Sequence, residues 1–194
     1  MNSPPHLILA SGSPYKRELL SRLPVDFDAL PADIDETRVD DESPDWMARR
    51  LAESKAAALA SQFPESFVLG CDQVIALGDR CFSKPGNADR AVEQLLALQG
   101  KTHRLITAIC LLVPGSAPRH SEVPFTMVMR PLSRAAIEAY VAEDKPFDCA
   151  GSYRIEAAGI RLFETTRGDD PTAIEGLPLT RVWSLLLDAG WPHD

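Results

Sequence analysis

The chain has 194 residues, of which 45% are apolar and 25% are charged, as is usual for a globular protein. Its net charge is -8 and no segment carries a basic stripe, which argues against a general nucleic-acid-binding protein. No apolar run approaches the ~20 residues of a membrane span, and the first residues lack the pattern of a signal peptide. The four cysteines show no Cys-x-x-Cys spacing and the histidines are scattered, so we expect no zinc cluster, but reduced thiols in a cytoplasmic protein.

Helical and strand patterns alternate along the chain, which predicts an α/β fold in one domain over residues 1–194. Two strand patterns flank a Pro-Gly-Ser turn, which favours a hairpin and therefore a mixed sheet. The predicted strands are residues 7–10, 66–77, 103–113, 122–132 and 159–164. The predicted helices are residues 14 to about 23, 44 to about 62, about 88–98, 133–142 and 177–189.

The loop after the first strand has the composition of an anion site. Ser11, Gly12 and Ser13 lead directly into a helix, where free backbone N–H groups point outward and glycine permits close approach of a ligand. Lys16 and Arg17 follow in the first helical turn, where the helix dipole is already positive. Either the two cations lie in solvent on a capped surface helix, or an anion binds there.

Two charged side chains fall among apolar residues. Lys55 lies on the apolar stripe of the second predicted helix, and Asp72 interrupts an apolar strand two residues after Gly70. A buried charge needs a partner, a metal or a route to solvent. The alternatives are a lysine that reaches water along the helix and a structural ion pair at Asp72. Lys84, beside a Pro-Gly turn, is either a further ligand or an exposed loop lysine.

An acidic segment precedes the second helix, and it lacks the glycine of a calcium-binding loop. Most of its carboxylates are expected to form a solvated face. One of them, together with Asp72, can supply oxygen ligands to a divalent metal, while the scarce cations hold a polyphosphate. The acidic residues are Asp33, Asp35, Glu36, Asp40, Asp41 and Glu42, and the cations are Lys16, Arg17, Lys55 and Lys84.

Seven short motifs, in this order over nearly the whole length, resemble the Maf family of nucleoside triphosphate pyrophosphatases. They are "LASGSPYKRELL", "DIDET", "LAESKA", "GCDQV", "KP" at Lys84, "CAGSYRIE" and "EGLPL". The resemblance implies an elongated α/β fold with a cleft between two lobes. It also implies cleavage of a nucleoside triphosphate to the monophosphate and pyrophosphate, dependent on magnesium or manganese.

Within that family the chain is most similar to the branch that acts on 7-methyl-GTP. The similarity lies in Tyr15, Gln73 and Glu156, and it implies that these residues bear on the choice of base. N7-methylation makes guanine cationic, so an aromatic face at Tyr15 and a carboxylate at Glu156 would both favour it. The family pattern implies that Asp72 is the catalytic carboxylate.

The expected substrate site combines these residues. The triphosphate would lie across the opening loop with Ser11, Ser13, Lys16 and Arg17, flanked by Lys55 and Lys84. Asp72 and Glu36 would hold the metal, and Asp72 would also align or deprotonate a water for in-line attack. Lys16 stands where the family usually carries arginine, and lysine gives a point charge rather than a planar fork, which Arg17 can supply instead.

Three other functions stay open at this stage. One is a pyrophosphatase for dTTP, UTP or a modified pyrimidine triphosphate. Another is a regulatory protein of septum formation that binds nucleotide without turnover. A serine or cysteine hydrolase is the third, although Cys71 has no histidine near it in the sequence and is interpreted as a packing residue. The resemblance suggests a homodimer with a small-molecule nucleotide substrate, and no nucleic-acid or membrane partner is expected.

Overall fold

Seven strands form a single mixed sheet in the computed structural model, which describes residues 5–192. The sheet order is β2-β1-β3-β5-β6-β7, and β4 pairs with β3. Strand β1 is parallel to both β2 and β3, whereas the pairs β3–β4 and β6–β7 are antiparallel. The predicted α/β class with a mixed sheet is therefore confirmed. The strands are β1 (Leu7–Ala10), β2 (Phe27–Leu30), β3 (Phe67–Leu77), β4 (Arg80–Phe82), β5 (Thr102–Leu112), β6 (Arg119–Met129) and β7 (Phe163–Arg167).

Five α-helices accompany the sheet in the described part of the chain, and four of them begin behind a side chain that caps the first turn. The caps are Ser13, Ser43, Asn87 and Ser133, and each accepts a hydrogen bond from a backbone N–H three residues later. Within residues 5–192, no helix has the length and apolar character to cross a membrane. The helices are α1 (Pro14–Leu20), α2 (Pro44–Ala60), α3 (Ala88–Leu98), α4 (Arg134–Asp144) and α5 (Leu179–Asp188).

The chain divides into two compact units. The first unit comprises Met1–Asp72, Thr107–Val123 and Asp170–Asp194, and the second comprises Gln73–Ile106 and Pro124–Asp169. Strands β3, β5 and β6 each contribute residues to both units. The prediction of one domain over residues 1–194, and those of an elongated shape and a cleft, stay predictions.

Each unit has an apolar core of its own. In the first unit, leucines of β1 and α1 pack with β3 and α5, and the rings of Phe67 and Trp191 meet edge to face at 5.8 Å. In the second unit, α3 and α4 pack together, and the buried rings of Tyr153 and Phe163 lie 4.9 Å apart. These cores fix the strands and helices that carry the charged residues.

Several predicted boundaries are wrong, and two strands were not predicted. Helices α1 and α2 end at Leu20 and Ala60, short of 23 and 62. The sequence did not predict β2 or β4, which are only four and three residues long. Residues 159–162 are not a strand, because they belong to a 3-10 segment, Ala158–Leu162, and the N–H of Gly159 donates back to the carbonyl of Arg154 at 2.9 Å. The prediction about a signal peptide falls partly on residues 1–4, which lie outside the described residues.

Candidate active site

A close approach of α2 to β3 at Gly70 builds the site. A Cβ at Gly70 would lie 2.0 Å from the carbonyl oxygen of Ala52 and 2.8 Å from the backbone nitrogen of Ala56. Only glycine therefore lets the helix backbone rest on the strand at this point. Asp72 lies two residues later on the same face of β3, because side chains alternate along a strand. Lys55, in the same helical turn, thereby reaches Asp72.

Lys55 joins two carboxylates. Its Nζ donates to Asp72 Oδ1 at 2.5 Å and lies 2.8 Å from Glu36 Oε1. Asp72 is buried and the Lys55 side chain is only 13% exposed, whereas Glu36 is 56% exposed. The structure thus brings together three predicted site residues, and Lys55 is paired rather than extended into solvent.

Burial and charge act on the cluster in opposite directions. Desolvation raises the pKa of Asp72, although the positive charges of Lys55 and Lys16 counteract part of that rise. Desolvation also works against the ammonium of Lys55, but attraction and hydrogen bonding to Asp72 and Glu36 outweigh it, so the pKa of Lys55 is raised. Lys55 is therefore a firmly charged ammonium, and Asp72 is a carboxylate that needs cations near it.

The opening loop places Lys16, rather than Arg17, on the side of Asp72. The Ser13 hydroxyl accepts from the backbone N–H of Lys16 at 3.5 Å, and the N–H of Ser13 donates to the Ser11 hydroxyl at 3.2 Å. The charge of Lys16 acts on Asp72, whereas Arg17 is exposed. The binding of phosphate by Ser11, Ser13, Lys16 and Arg17 stays a prediction, as does the stacking role of the half-buried Tyr15.

Cys71 lies beside Asp72 but faces the core. Its Sγ donates to the carbonyl of Gly176 at 3.1 Å, and burial raises the pKa of the thiol to about 11. A neutral, buried thiol of this kind is a poor nucleophile. The geometry supports the packing role expected from the sequence and weighs against a cysteine hydrolase.

The acidic segment is held by contacts that the sequence analysis did not identify. Arg50 of α2 donates to both carboxylate oxygens of Glu42, at 2.6 and 2.9 Å, and to the carbonyl of Thr37 at 3.1 Å. The signal available in the sequence was an arginine one and a half helical turns before Lys55, close to a run of acids that requires a cation. The structure leaves Asp33, Asp40 and Asp41 exposed, as expected for a solvated face.

Asp72 and Glu36 suit a magnesium-like ion. Both offer hard carboxylate oxygens, and they converge on one point that a cationic group already favours. Within residues 5–192 there is no group of three or more His, Cys, Asp or Glu side chains that could hold a metal ion. Magnesium typically uses one or two protein carboxylates and completes its shell with water and substrate phosphates, so this sparse donor set fits the metal.

The remaining predicted residues lie in the second unit. Gln73 follows Asp72 in β3 and is half-buried, Lys84 is exposed before α3, and Glu156 is exposed after the buried Tyr153. Their roles in phosphate and base recognition stay predictions. The first unit by itself presents a buried carboxylate, a second carboxylate and two ammonium groups. These four charged groups are of the kinds that position a phosphorylated substrate and a metal.

Comparison with known proteins agrees with this chemistry. Residues 6–189 match the family model described as "Maf-like protein". The chain is 44% identical to the 7-methyl-GTP pyrophosphatase of Pseudomonas aeruginosa over 189 residues, covering 96% of this chain and 97% of that protein. It is 43% identical to the protein of the same name from Nitrosococcus oceani, covering 98% of this chain and 96% of that protein.

Among solved structures, the Staphylococcus aureus Ham1 protein is 14% identical, with a TM-score of 0.49 over 64% of this chain and 71% of that chain. The family match spans nearly all of the sequence and includes Lys16, Glu36, Lys55 and Asp72. The chain belongs to the Maf family.

Proposed function

We propose that the protein hydrolyses 7-methyl-GTP to 7-methyl-GMP and pyrophosphate. The observation that carries the proposal is the Lys55 ammonium lying between the carboxylates of Asp72 and Glu36, next to the charge of Lys16. Relatives of 43–44% identity over nearly the full length carry the name of that activity. As a nucleotide pyrophosphatase, the protein is a hydrolase acting on acid anhydrides.

In the proposed reaction, a water oxygen attacks the α-phosphorus and forms a new P–O bond. The bond from the α-phosphorus to the oxygen bridging it to the β-phosphorus breaks, and its electron pair leaves with pyrophosphate. Asp72 aligns the water and accepts its proton, while Lys55 and Lys16 balance the charge of the phosphate oxygens. Ser11, Ser13 and Arg17 of the opening loop, and Lys84, supply further phosphate contacts.

Pyrophosphatases of this family generally need a divalent metal. We propose magnesium or manganese, held by Asp72 and Glu36. When bound, such an ion neutralises phosphate charge and lowers the pKa of coordinated water. Tyr15, Gln73 and Glu156 are proposed to select the methylated base, and a cytoplasmic homodimer is the expected setting.

The test measures pyrophosphate release from 7-methyl-GTP, GTP, dTTP and UTP, with and without magnesium. We expect magnesium-dependent release with the highest kcat/KM for 7-methyl-GTP. A preference for dTTP or UTP would move the proposal to pyrimidine triphosphates. Nucleotide binding without release of pyrophosphate would instead indicate a regulatory protein.

Asp72→Asn tests the catalytic assignment, since it keeps the shape of the side chain and removes its charge. Turnover should fall at least about a hundredfold, the scale of losing a major catalytic group. Circular dichroism of the variant establishes that the fold is intact. Near-normal turnover in a folded variant would remove Asp72 from the mechanism.

A further inference from the structure

Arg50 connects α2 to the acidic segment at two points. Its guanidinium donates two parallel hydrogen bonds to the Glu42 carboxylate and a third to the backbone carbonyl of Thr37. The Glu42 side chain is only 8% exposed and that of Arg50 is 28% exposed, so water competes weakly for these bonds. A bidentate arginine–carboxylate pair is among the strongest and most directional contacts that side chains make.

These contacts fix the backbone next to Glu36. Thr37 follows Glu36 directly, and its carbonyl is held by Arg50. The N–H of Thr37 donates to Asp35 Oδ1 at 2.8 Å, which closes a turn around Glu36. The Nε of Arg38 donates to the Glu42 carbonyl at 2.9 Å and ties the far end of the segment to the same point.

Glu36 depends on this backbone for its position. Its side chain is 56% exposed although Lys55 is only 13% exposed, so water reaches the Glu36 side of this ion pair and the pair holds Glu36 less firmly than a fully buried one would. Arg50 and Lys55 belong to the same helix, so α2 holds the segment through Arg50 and presents Lys55 to the carboxylate. The distance between Glu36 and Asp72 therefore depends on how firmly Arg50 holds Thr37 and Glu42, as well as on the Lys55 ammonium between the two carboxylates.

We propose that Arg50 is a positioning residue whose hydrogen bonds to Glu42 and Thr37 place Glu36 opposite Asp72. Through this placement, Arg50 sets the affinity of the site for its divalent metal. The inference rests on the proposed function, since it takes Glu36 and Asp72 as the carboxylates that receive the metal. Arg50 itself contacts neither the substrate nor the metal in this scheme.

The test compares Arg50→Gln with Arg49→Gln, a matched change at the neighbouring exposed arginine, which lies over the Trp46 ring. Electron paramagnetic resonance measures binding of Mn²⁺ alone. Assays over a range of magnesium concentrations give the half-saturating value for turnover. In Arg50→Gln we expect Mn²⁺ affinity to fall about tenfold and the half-saturating magnesium concentration to rise about tenfold, the scale seen when a group supporting a metal ligand is lost.

Two further readouts separate positioning from a general structural effect. At saturating magnesium, Arg50→Gln should regain most of its kcat, with a nearly unchanged KM for the nucleotide. Arg50→Lys, which keeps the charge but not the fork, should fall between Arg50→Gln and the unsubstituted protein. If Arg50→Gln does not fold, Glu42→Gln weakens the same hydrogen bonds from the other side and replaces it.

The outcomes also distinguish this inference from the proposed function. Unchanged Mn²⁺ affinity in folded Arg50→Gln, or no Mn²⁺ binding by the unsubstituted protein, would overturn the inference even if 7-methyl-GTP is hydrolysed. Weakened Mn²⁺ binding in Arg50→Gln, in a protein that cleaves none of the triphosphates, would support the inference and refute the function.

Discussion

At the scale of single residues, Lys55 competes with the metal for the same oxygens. Its ammonium lies within 2.8 Å of both carboxylates, so an ion held by Asp72 and Glu36 must share or displace it. Lys55→Met removes this positive charge while keeping most of the side-chain volume. We expect Mn²⁺ to bind at least about tenfold more tightly without nucleotide, since a charge within 4 Å is worth about 4 kcal/mol near a protein surface.

The same substitution should lower kcat/KM, because the phosphates lose a cation. Tighter metal binding together with lower turnover would show that Lys55 both competes with the metal and binds the phosphates. The binding measurement belongs at alkaline pH, since burial raises the pKa of Asp72 and a proton would otherwise replace the lost ammonium. Lys101→Met, at an exposed lysine, is the control. Weaker or unchanged Mn²⁺ binding in Lys55→Met would contradict the competition.

At the scale of elements, the end of α4 holds the segment that carries Glu156. The N–H of Arg154 donates to Tyr140 Oη at 3.1 Å, and its guanidinium donates to Asp144 Oδ1 at 3.0 Å. The Tyr140 hydroxyl donates to the other Asp144 oxygen at 2.8 Å. The Arg154 carbonyl in turn accepts from Gly159. Arg154 is thus held through its backbone and its side chain, two residues before Glu156.

If Glu156 selects the base, removing the contacts of the Arg154 side chain should reduce the preference for 7-methyl-GTP over GTP. For Arg154→Met we expect the ratio of kcat/KM for 7-methyl-GTP over GTP to fall roughly tenfold, since a hydrogen bond to a charged group is worth about 1.5–3 kcal/mol. Arg134→Gln, which removes an exposed ion pair of α4 with Glu93, should leave the ratio unchanged. Tyr140→Phe is the milder variant should Arg154→Met fail to fold. An unchanged kcat/KM ratio in both folded variants would show that the contacts among Arg154, Tyr140 and Asp144 have no part in base selection.

The elements also show what sequence patterns can and cannot predict. Helix α2 and strand β3 were predictable because their apolar patterns span many residues, and the charges within those patterns marked Lys55 and Asp72 as residues that each need a partner. That the two pair with each other was not predicted. Strand β4 follows a tight turn in which Gly78 has a φ of 60°, and it pairs back onto β3. The contact of Arg50 with Glu42 depends on how an irregular segment folds back, and no local periodicity records that.

At the scale of the whole molecule, stability against pH is the sum of groups that act with opposite signs. Desolvation works against ionised Asp170, but hydrogen bonds from Thr172 and Thr180 prevail and lower its pKa, so its contribution is lost only in strong acid. Asp72 has a raised pKa, so the folded state binds its proton more readily and gains stability as pH falls towards 3.8. His103 acts against that gain in mild acid.

His103 is 2% exposed, and desolvation lowers its pKa from 6.5 to about 4. Its Nε2 meets Tyr153 Oη at 3.1 Å, but its Nδ1 has no hydrogen-bond partner among residues 5–192, so an imidazolium would bury an unpaired donor. Between those two pKa values the unfolded chain binds a proton at His103 that the folded protein does not bind, so the free energy of unfolding decreases as pH falls. The loss amounts to roughly 3 kcal/mol, at 1.36 kcal/mol per pH unit.

His103→Gln removes the titration and keeps an amide within reach of Tyr153. Urea unfolding of both proteins from neutral pH down to about pH 4 gives the free energy of unfolding of each. The contributions of Asp72 and Asp170 cancel in the difference between the two free energies of unfolding, which leaves the effect of His103. The advantage of the unsubstituted protein over the variant should therefore shrink steadily across this range. A difference that stays constant with pH would mean that His103 takes up its proton as readily in the folded protein as in the unfolded chain.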